Sequence, residues 1–172
     1  MAVHPGHDPA RWALPLIAEA DDAAGGVWTL VEFGTSEAAS LWLPPHAGEP
    51  CHGDTMRLGS DAPAGLPLCE AAAWLRARQD DYASANPSCW KRIVAARDAP
   101  WAPIVVAPFP VGDRTGPPDA AHIVVDGLHR ALGWALRSSE TRPVMSGDVR
   151  EPVLRAYLAG PDLRAGQGRA VG

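Results

Sequence analysis

Three cysteines in 172 residues, Cys51, Cys69 and Cys89, are too few and too scattered for a disulfide framework. No two of them stand at CxxC spacing. Cys51 and His52 are adjacent with His46 nearby, but a second spaced pair is missing, so no metal centre is expected. Also missing is any apolar run near the roughly 18 residues that a membrane-spanning helix requires. Positive charge is short as well: 15 Lys and Arg against 20 Asp and Glu give a formal net charge of -5. Wholesale nucleic-acid binding normally needs a basic surplus, so nucleic acid is not the expected partner. The first residues, MAVHPGHDPARW, have neither the charged start nor the apolar centre of a secretory leader. The expected location is cytoplasmic.

Apolar residues make up 47% of the chain and charged residues 20%, the balance of an ordinary soluble protein. The length suits one domain, residues 1–172, with a core of its own. Seventeen glycines and 18 prolines cut the chain into short elements. Asp8-Pro9 suggests the start of a short helix disturbed at Pro15. Residues 27–33, VWTLVEF, alternate like a half-buried strand, and SLWLPP at 40–45 is its expected hairpin partner. A Gly/Pro/Asp-rich loop follows, from Ala47 to Pro67.

Residues 68–83, rich in alanine and arginine, read as one helix. Asn86-Pro87 starts another that runs to Arg97. PIVVA at 103–107 and HIVV at 122–125 suit buried strands, with a helix over 128–138 behind them. Glu151-Pro152 is expected to open a last helix, VLRAYLA, closed by Gly160, with a loose tail from about 161. The fold class this implies is α+β: a small mixed sheet with helices packed around it. Five tryptophans, Trp28, Trp42, Trp74, Trp90 and Trp134, stand where core faces are expected.

The segment that departs from generic patterning is HIVVDGLHRALGWAL, residues 122–136. A strand runs into an Asp126-Gly127 turn, and the helix behind it opens with Leu128, His129 and Arg130. Two potential cations thus sit where the helix dipole is already positive, at a cost of about 0.3–1 kcal/mol each if exposed. In the plain reading Asp126 caps the helix and Arg130 pairs with it or with another acid. In the functional reading an anion reverses the sign of both costs. Backbone N–H groups at a helix start, a glycine and an arginine fork together make a phosphate cradle.

PIVVAPF followed by HIVVDGLHRALGWA resembles the ParB/sulfiredoxin superfamily of small α/β domains. Its ParB-like free serine kinases carry Asp-Gly-His-His-Arg where this chain has Asp126-Gly127-Leu128-His129-Arg130. Sulfiredoxins carry Gly-Cys-His-Arg, so Leu128 stands in the place of their catalytic cysteine and excludes their chemistry at that residue. Chromosome-partition members carry Gly-Glu-Arg-Arg, and no helix-turn-helix follows here. The match covers about a fifth of the chain, Pro103 to Arg137.

The resemblance implies a nucleotide, ATP or ADP with CTP as an alternative, held with Mg2+. Gly127, His129, Arg130 and the backbone of Leu128 would hold its phosphates. It implies transfer of a phosphoryl group to a small molecule such as an amino acid. Asp126 and His129 would act within the motif, and Glu32 or Glu19 would be the base on the substrate hydroxyl. Two other readings remain at this level: a nucleotide-binding module without chemistry, and a ParB-like nuclease, which the net charge opposes. Tyr82, Asn86, Lys91 and Arg92 are a candidate substrate wall, with an ordinary helix junction as the alternative. Gly112, Asp113 and Arg114 lie in the loop between the two buried strands.

Overall fold

The computed structural model describes residues 13–44, 65–98, 102–108, 121–140 and 153–160. Helix α1, Leu14–Ala23, carries Pro15 in its opening positions. Pro15 therefore starts the helix rather than disturbing one, because an N–H there would lack an intrahelical acceptor anyway. Asp8 and Pro9 lie outside the described residues. Gly25 and Gly26, at φ of 62° and 76°, turn the chain into strand β1, Trp28–Phe33. Helix α2, Thr35–Ala39, leads to the two-residue strand β2, Trp42–Leu43. Strand β3, Leu66–Pro67, falls at the end of the segment expected to be loop.

The single helix expected over 68–83 is two helices, α3 (Leu68–Ala77) and α4 (Gln79–Ala85). They break at Arg78, whose φ of -130° and ψ of 27° are not helical. A straight helix would set Gln79 on the stripe formed by Leu68, Ala72, Leu75 and Tyr82. The break leaves Gln79 exposed while Tyr82 is fully buried. Helix α5, Pro87–Asp98, starts where Asn86-Pro87 signals it. Then come β4 (Ile104–Pro108), β5 (His122–Asp126), α6 (Leu128–Glu140) and β6 (Leu154–Ala159).

The six strands form one mixed sheet in the order β1-β6-β4-β5-β2-β3. β4 and β5 are antiparallel neighbours, as their apolar runs suggest. Two expectations are overturned. β2 is not the hairpin partner of β1; it pairs with β5 and β3, while β1 pairs with β6. The segment expected as a last helix is strand β6, set between β1 and β4. Its burial explains why: Leu154, Ala156 and Leu158 are buried, while Arg155 is exposed and Tyr157 half-buried. That is period two, which the short apolar run conceals.

The sheet is covered on both faces. α1 packs through Ala13, Ile17 and Ala20 onto Val105, Ala107, Ile123 and Val125. The other face carries the larger core, with Val31, Phe33, Ile104, Val106, Val124 and Leu154 under α3, α5 and α6. The sheet curls over this second face. Phe33 and His122 meet edge to face at 5.9 Å, although two strands lie between β1 and β5; a flat sheet would hold them about 14 Å apart. Of the five tryptophans expected inside, Trp42 and Trp134 are buried, and Trp28, Trp74 and Trp90 are partly so. No helix among the described residues is long and apolar enough to cross a membrane.

Candidate anion-binding site at the start of α6

The candidate site begins with an irregularity in β5. Its register against β4 slips between Val105 and Val106, so that Val125 is an extra residue just before Asp126. A bulge of this kind bends the strand and re-aims the side chains that follow it. Asp126, the last residue of β5, is 5% exposed. Gly127 stands between it and α6, and Ala131 N–H donates to the Gly127 carbonyl at 2.9 Å.

Gly127 has φ of 92°, a left-handed angle that side chains resist. Space excludes a side chain too. A Cβ there would lie 2.8 Å from Cγ2 of Ile104 and 3.0 Å from Nε and Nη2 of Arg130. The guanidinium of Arg130 therefore folds back over the bare glycine. Its Nη2 donates to Oδ2 of Asp126 at 3.1 Å, with the two side chains 27% and 7% exposed. Burial pushes the Arg130 guanidinium below its ordinary pKa, and the Asp126 carboxylate raises it only in part.

His129 turns to the neighbouring helix. Its Nε2 lies 3.3 Å from Sγ of Cys89, the third residue of α5, which is fully buried. One turn along, a Cβ on Gly133 would lie 2.8 Å from the Ile93 carbonyl and 2.6 Å from the Arg97 nitrogen. Near the far end Arg137 Nη1 donates to the Arg97 carbonyl at 3.5 Å. Contacts between residues 40 apart recur down the pair, so α5 and α6 run parallel and in register. Their first turns lie side by side, and both dipoles direct positive potential to the same end. No acidic residue lies in the first turn of either helix.

This domain belongs by sequence to a known family. A family model described as "Family of unknown function (DUF6309)" matches residues 11–171. The chain belongs to that family. The match takes in every strand and helix among the described residues. A search of curated proteins and a search of solved structures each found no match.

Within this DUF6309 domain, the motif residues come together and the outlying candidates do not. Asp126, Gly127, Leu128, His129 and Arg130 form one turn. Leu128 is 3% exposed and belongs to the core beneath α6 with Leu132 and Leu136. Glu32 sits on β1, between Val31 and Phe33, both of which face the α6 core, so its side chain projects from the opposite face. There Oε1 of Glu32 accepts from Nε of Arg155 at 3.0 Å. Glu19 is exposed on α1, across the sheet from α6.

Tyr82 and Asn86 are fully buried at the α4–α5 junction and so form no wall, while Lys91 and Arg92 are exposed. His46, Cys51, His52, Gly112, Asp113 and Arg114 lie outside the described residues. Among the described residues, no group of three or more His, Cys, Asp or Glu is placed to hold a metal ion. Cys89 and Gly133 were not picked out from sequence. The signal for them is joint: Cys89 and Ile93 on one helix repeat the spacing of His129 and Gly133 on the other.

Proposed function

We propose that this domain binds a nucleotide through its phosphates at the first turn of α6. The observation that carries the reading is Arg130. It is a partly buried guanidinium at the positive end of a helix, folded over Gly127 and paired with Asp126. Among the described residues, its hydrogen bond to Asp126 uses a fraction of a fork with five N–H donors. A phosphate oxygen beside the turn would take further bonds from that fork. It would also accept from the opening N–H groups of α6, for which the helix itself offers no acceptor. The bare glycine at 127 lets the Arg130 fork lie over the turn, and the parallel start of α5 adds its dipole.

The Asp-Gly-Leu-His-Arg turn, with its resemblance to ParB-like free serine kinases, extends the proposal to phosphoryl transfer from ATP to a small-molecule hydroxyl. The hydroxyl oxygen would bond to the terminal phosphorus as the bond to the ADP oxygen breaks, and a carboxylate would take the hydroxyl proton. Asp126 is the carboxylate of the turn. Mg2+ commonly keeps several waters and binds through one or two carboxylates plus the phosphates. Asp126 alone therefore fits a metal that arrives with the nucleotide. A binding module without chemistry is the second reading. It is favoured by the engagement of Asp126 with Arg130 and by the outward direction of Glu32.

Thermal-shift measurements with ATP, ADP, CTP and GTP, each with and without magnesium, test the shared premise. A ligand at a hundredfold excess over its Kd adds about 2.7 kcal/mol of apparent stability. A shift with at least one nucleotide is expected, and no shift with any of the four overturns both readings. Formation of ADP from ATP only when a hydroxyl-bearing amino acid is present would then separate transfer from binding alone.

A further inference from the structure

We propose that strand β1 is a pairing edge at which a second copy of this chain extends the sheet, antiparallel and centred on Leu30. β1 ends the sheet, and among the described residues no strand lies on its outer side. It runs for six residues, Trp28–Phe33, in unbroken register with β6. An open edge is a template for another strand, and folds blunt it with shortness, proline, bulges or charge. The opposite edge is blunted: β3 is two residues long, and one of them is Pro67. β1 has no proline and no bulge, and Arg155 offsets its single charge, Glu32, at 3.0 Å. Apolar exposure gathers at the same place. Among the described residues the exposed large apolar side chains are Leu14, Val27 and Leu30, with Val27 and Leu30 at 49% and 45%.

The backbone selects the register. Gly160 N–H donates to the Val27 carbonyl at 2.8 Å, so residues 27, 29, 31 and 33 turn their backbone groups toward β6. Trp28, Leu30 and Glu32 turn theirs to the outer side. A two-fold axis at Leu30 sets it opposite Leu30 of the second copy, with Trp28 opposite Glu32 on either side. Each outward-turned residue then falls in a hydrogen-bonded pair. An axis at any other residue of β1 leaves at least one of them without a counterpart in the opposing strand. An axis at Glu32 would also oppose two acids. The side chains agree with the axis at Leu30. Trp28 packs on the α1 side of the sheet, and Leu30, two residues on, shares that face. The two Leu30 side chains therefore meet there, while Val27 lies opposite Phe33 on the other face. Charge agrees as well. The Trp28 indole N–H donates to Asp21 at 2.6 Å and Arg155 stands beside Glu32, so the axis brings Asp21 of each copy toward Arg155 of the other. A six-residue edge buries a modest area, which makes the expected dimer reversible and concentration-dependent.

Sedimentation velocity of the full chain over a concentration series tests the proposal, with a monomer–dimer equilibrium expected. Residue 30 meets itself at the axis, so Leu30→Lys and Leu30→Glu should each weaken the dimer by a factor of about a hundred. An equimolar mixture of the two variants should restore it, because opposite charges then face each other across the axis. Both variants should keep the wild-type circular dichroism spectrum, since the side chain they replace is exposed. Hydrogen exchange of the wild type needs no substitution: the Leu30 and Glu32 amides should slow as the dimer forms. A wild type that is monomeric at every concentration overturns the proposal. So does a dimer that survives both substitutions, or one that the mixture fails to restore, because the contact then lies elsewhere. Leu30 and Glu32 amides already protected in the monomer would show the edge covered by the chain itself, and would overturn it too. None of these outcomes depends on the phosphate reading.

Discussion

Nη2 of Arg130 donates to Oδ2 of Asp126 at 3.1 Å, tying the first turn of α6 to the last residue of β5. The acid is nearly buried and the base about one quarter exposed, so this is not an ordinary surface pair. Removing the guanidinium leaves a buried carboxylate with one partner fewer. Arg130→Ala is therefore expected to lower stability by about 1–3 kcal/mol, read as a fall in urea midpoint at unchanged slope. Arg130→Lys keeps the charge and loses the planar fork, so it should retain more stability than nucleotide affinity. A midpoint unchanged in Arg130→Ala would show that the pair contributes nothing to the fold.

Gly127 carries two constraints at once. Its φ of 92° is strained for any other residue, and a Cβ would strike Ile104 and the Arg130 guanidinium. Gly127→Ala should cost about 1–3 kcal/mol and displace Arg130 from Asp126. Thermal unfolding checks the first effect. Comparison with the double variant Gly127→Ala/Arg130→Ala checks the second, because the two costs should then add to less than their sum.

Gly133 makes the opposite case, a glycine in mid-helix where alanine is ordinarily better by up to about 1 kcal/mol. Here the neighbours are the Ile93 carbonyl and the Arg97 backbone nitrogen, neither of which can rotate away. Gly133→Ala is expected to destabilise by about 1–3 kcal/mol despite its better helix propensity. It should also lengthen the Cys89–His129 contact. A more stable Gly133→Ala protein would mean that α5 and α6 do not approach this closely.

Leu128 is buried with Leu132 and Leu136 beneath α6. Leu128→Ala should cost about 2–5 kcal/mol through a core cavity. Nucleotide affinity of the folded fraction should stay within about twofold, since at the proposed phosphate site only the Leu128 backbone would face a ligand. Preserved stability with lost affinity would reverse that assignment.

The local features of the site were legible in the sequence. Two runs of β-branched residues, PIVVA and HIVV, each long enough for a covered strand, specified neighbouring strands. Leu128, Leu132 and Leu136 at fourfold spacing specified the buried stripe of the helix behind them. Asp-Gly marked the turn, and Asn86-Pro87 marked the start of α5. These signals are carried by backbone propensity and by hydrophobic period, which need no knowledge of the rest of the chain.

What depended on distant partners was not legible. LRAYLA alternates over only six residues, and its strand identity comes from insertion between β1 and β4, about 120 and 50 residues away in sequence. β2 found its partners in β5 and β3 instead of the adjacent β1 for the same reason. Period fixes a local element, but strand order is set by which apolar faces can be buried together. The site divides along the same line. Residues 126–130 follow one another in the chain and were read as a unit. The sulfur of Cys89 reaches His129 only because two parallel helices pack in register through a glycine. By itself the sequence determined the turn and the charges placed on it. The tertiary structure decided what those charges touch: Arg130 meets Asp126 across a strand–helix turn, and His129 meets Cys89 across a helix interface, because close packing fixes distances that no local pattern encodes.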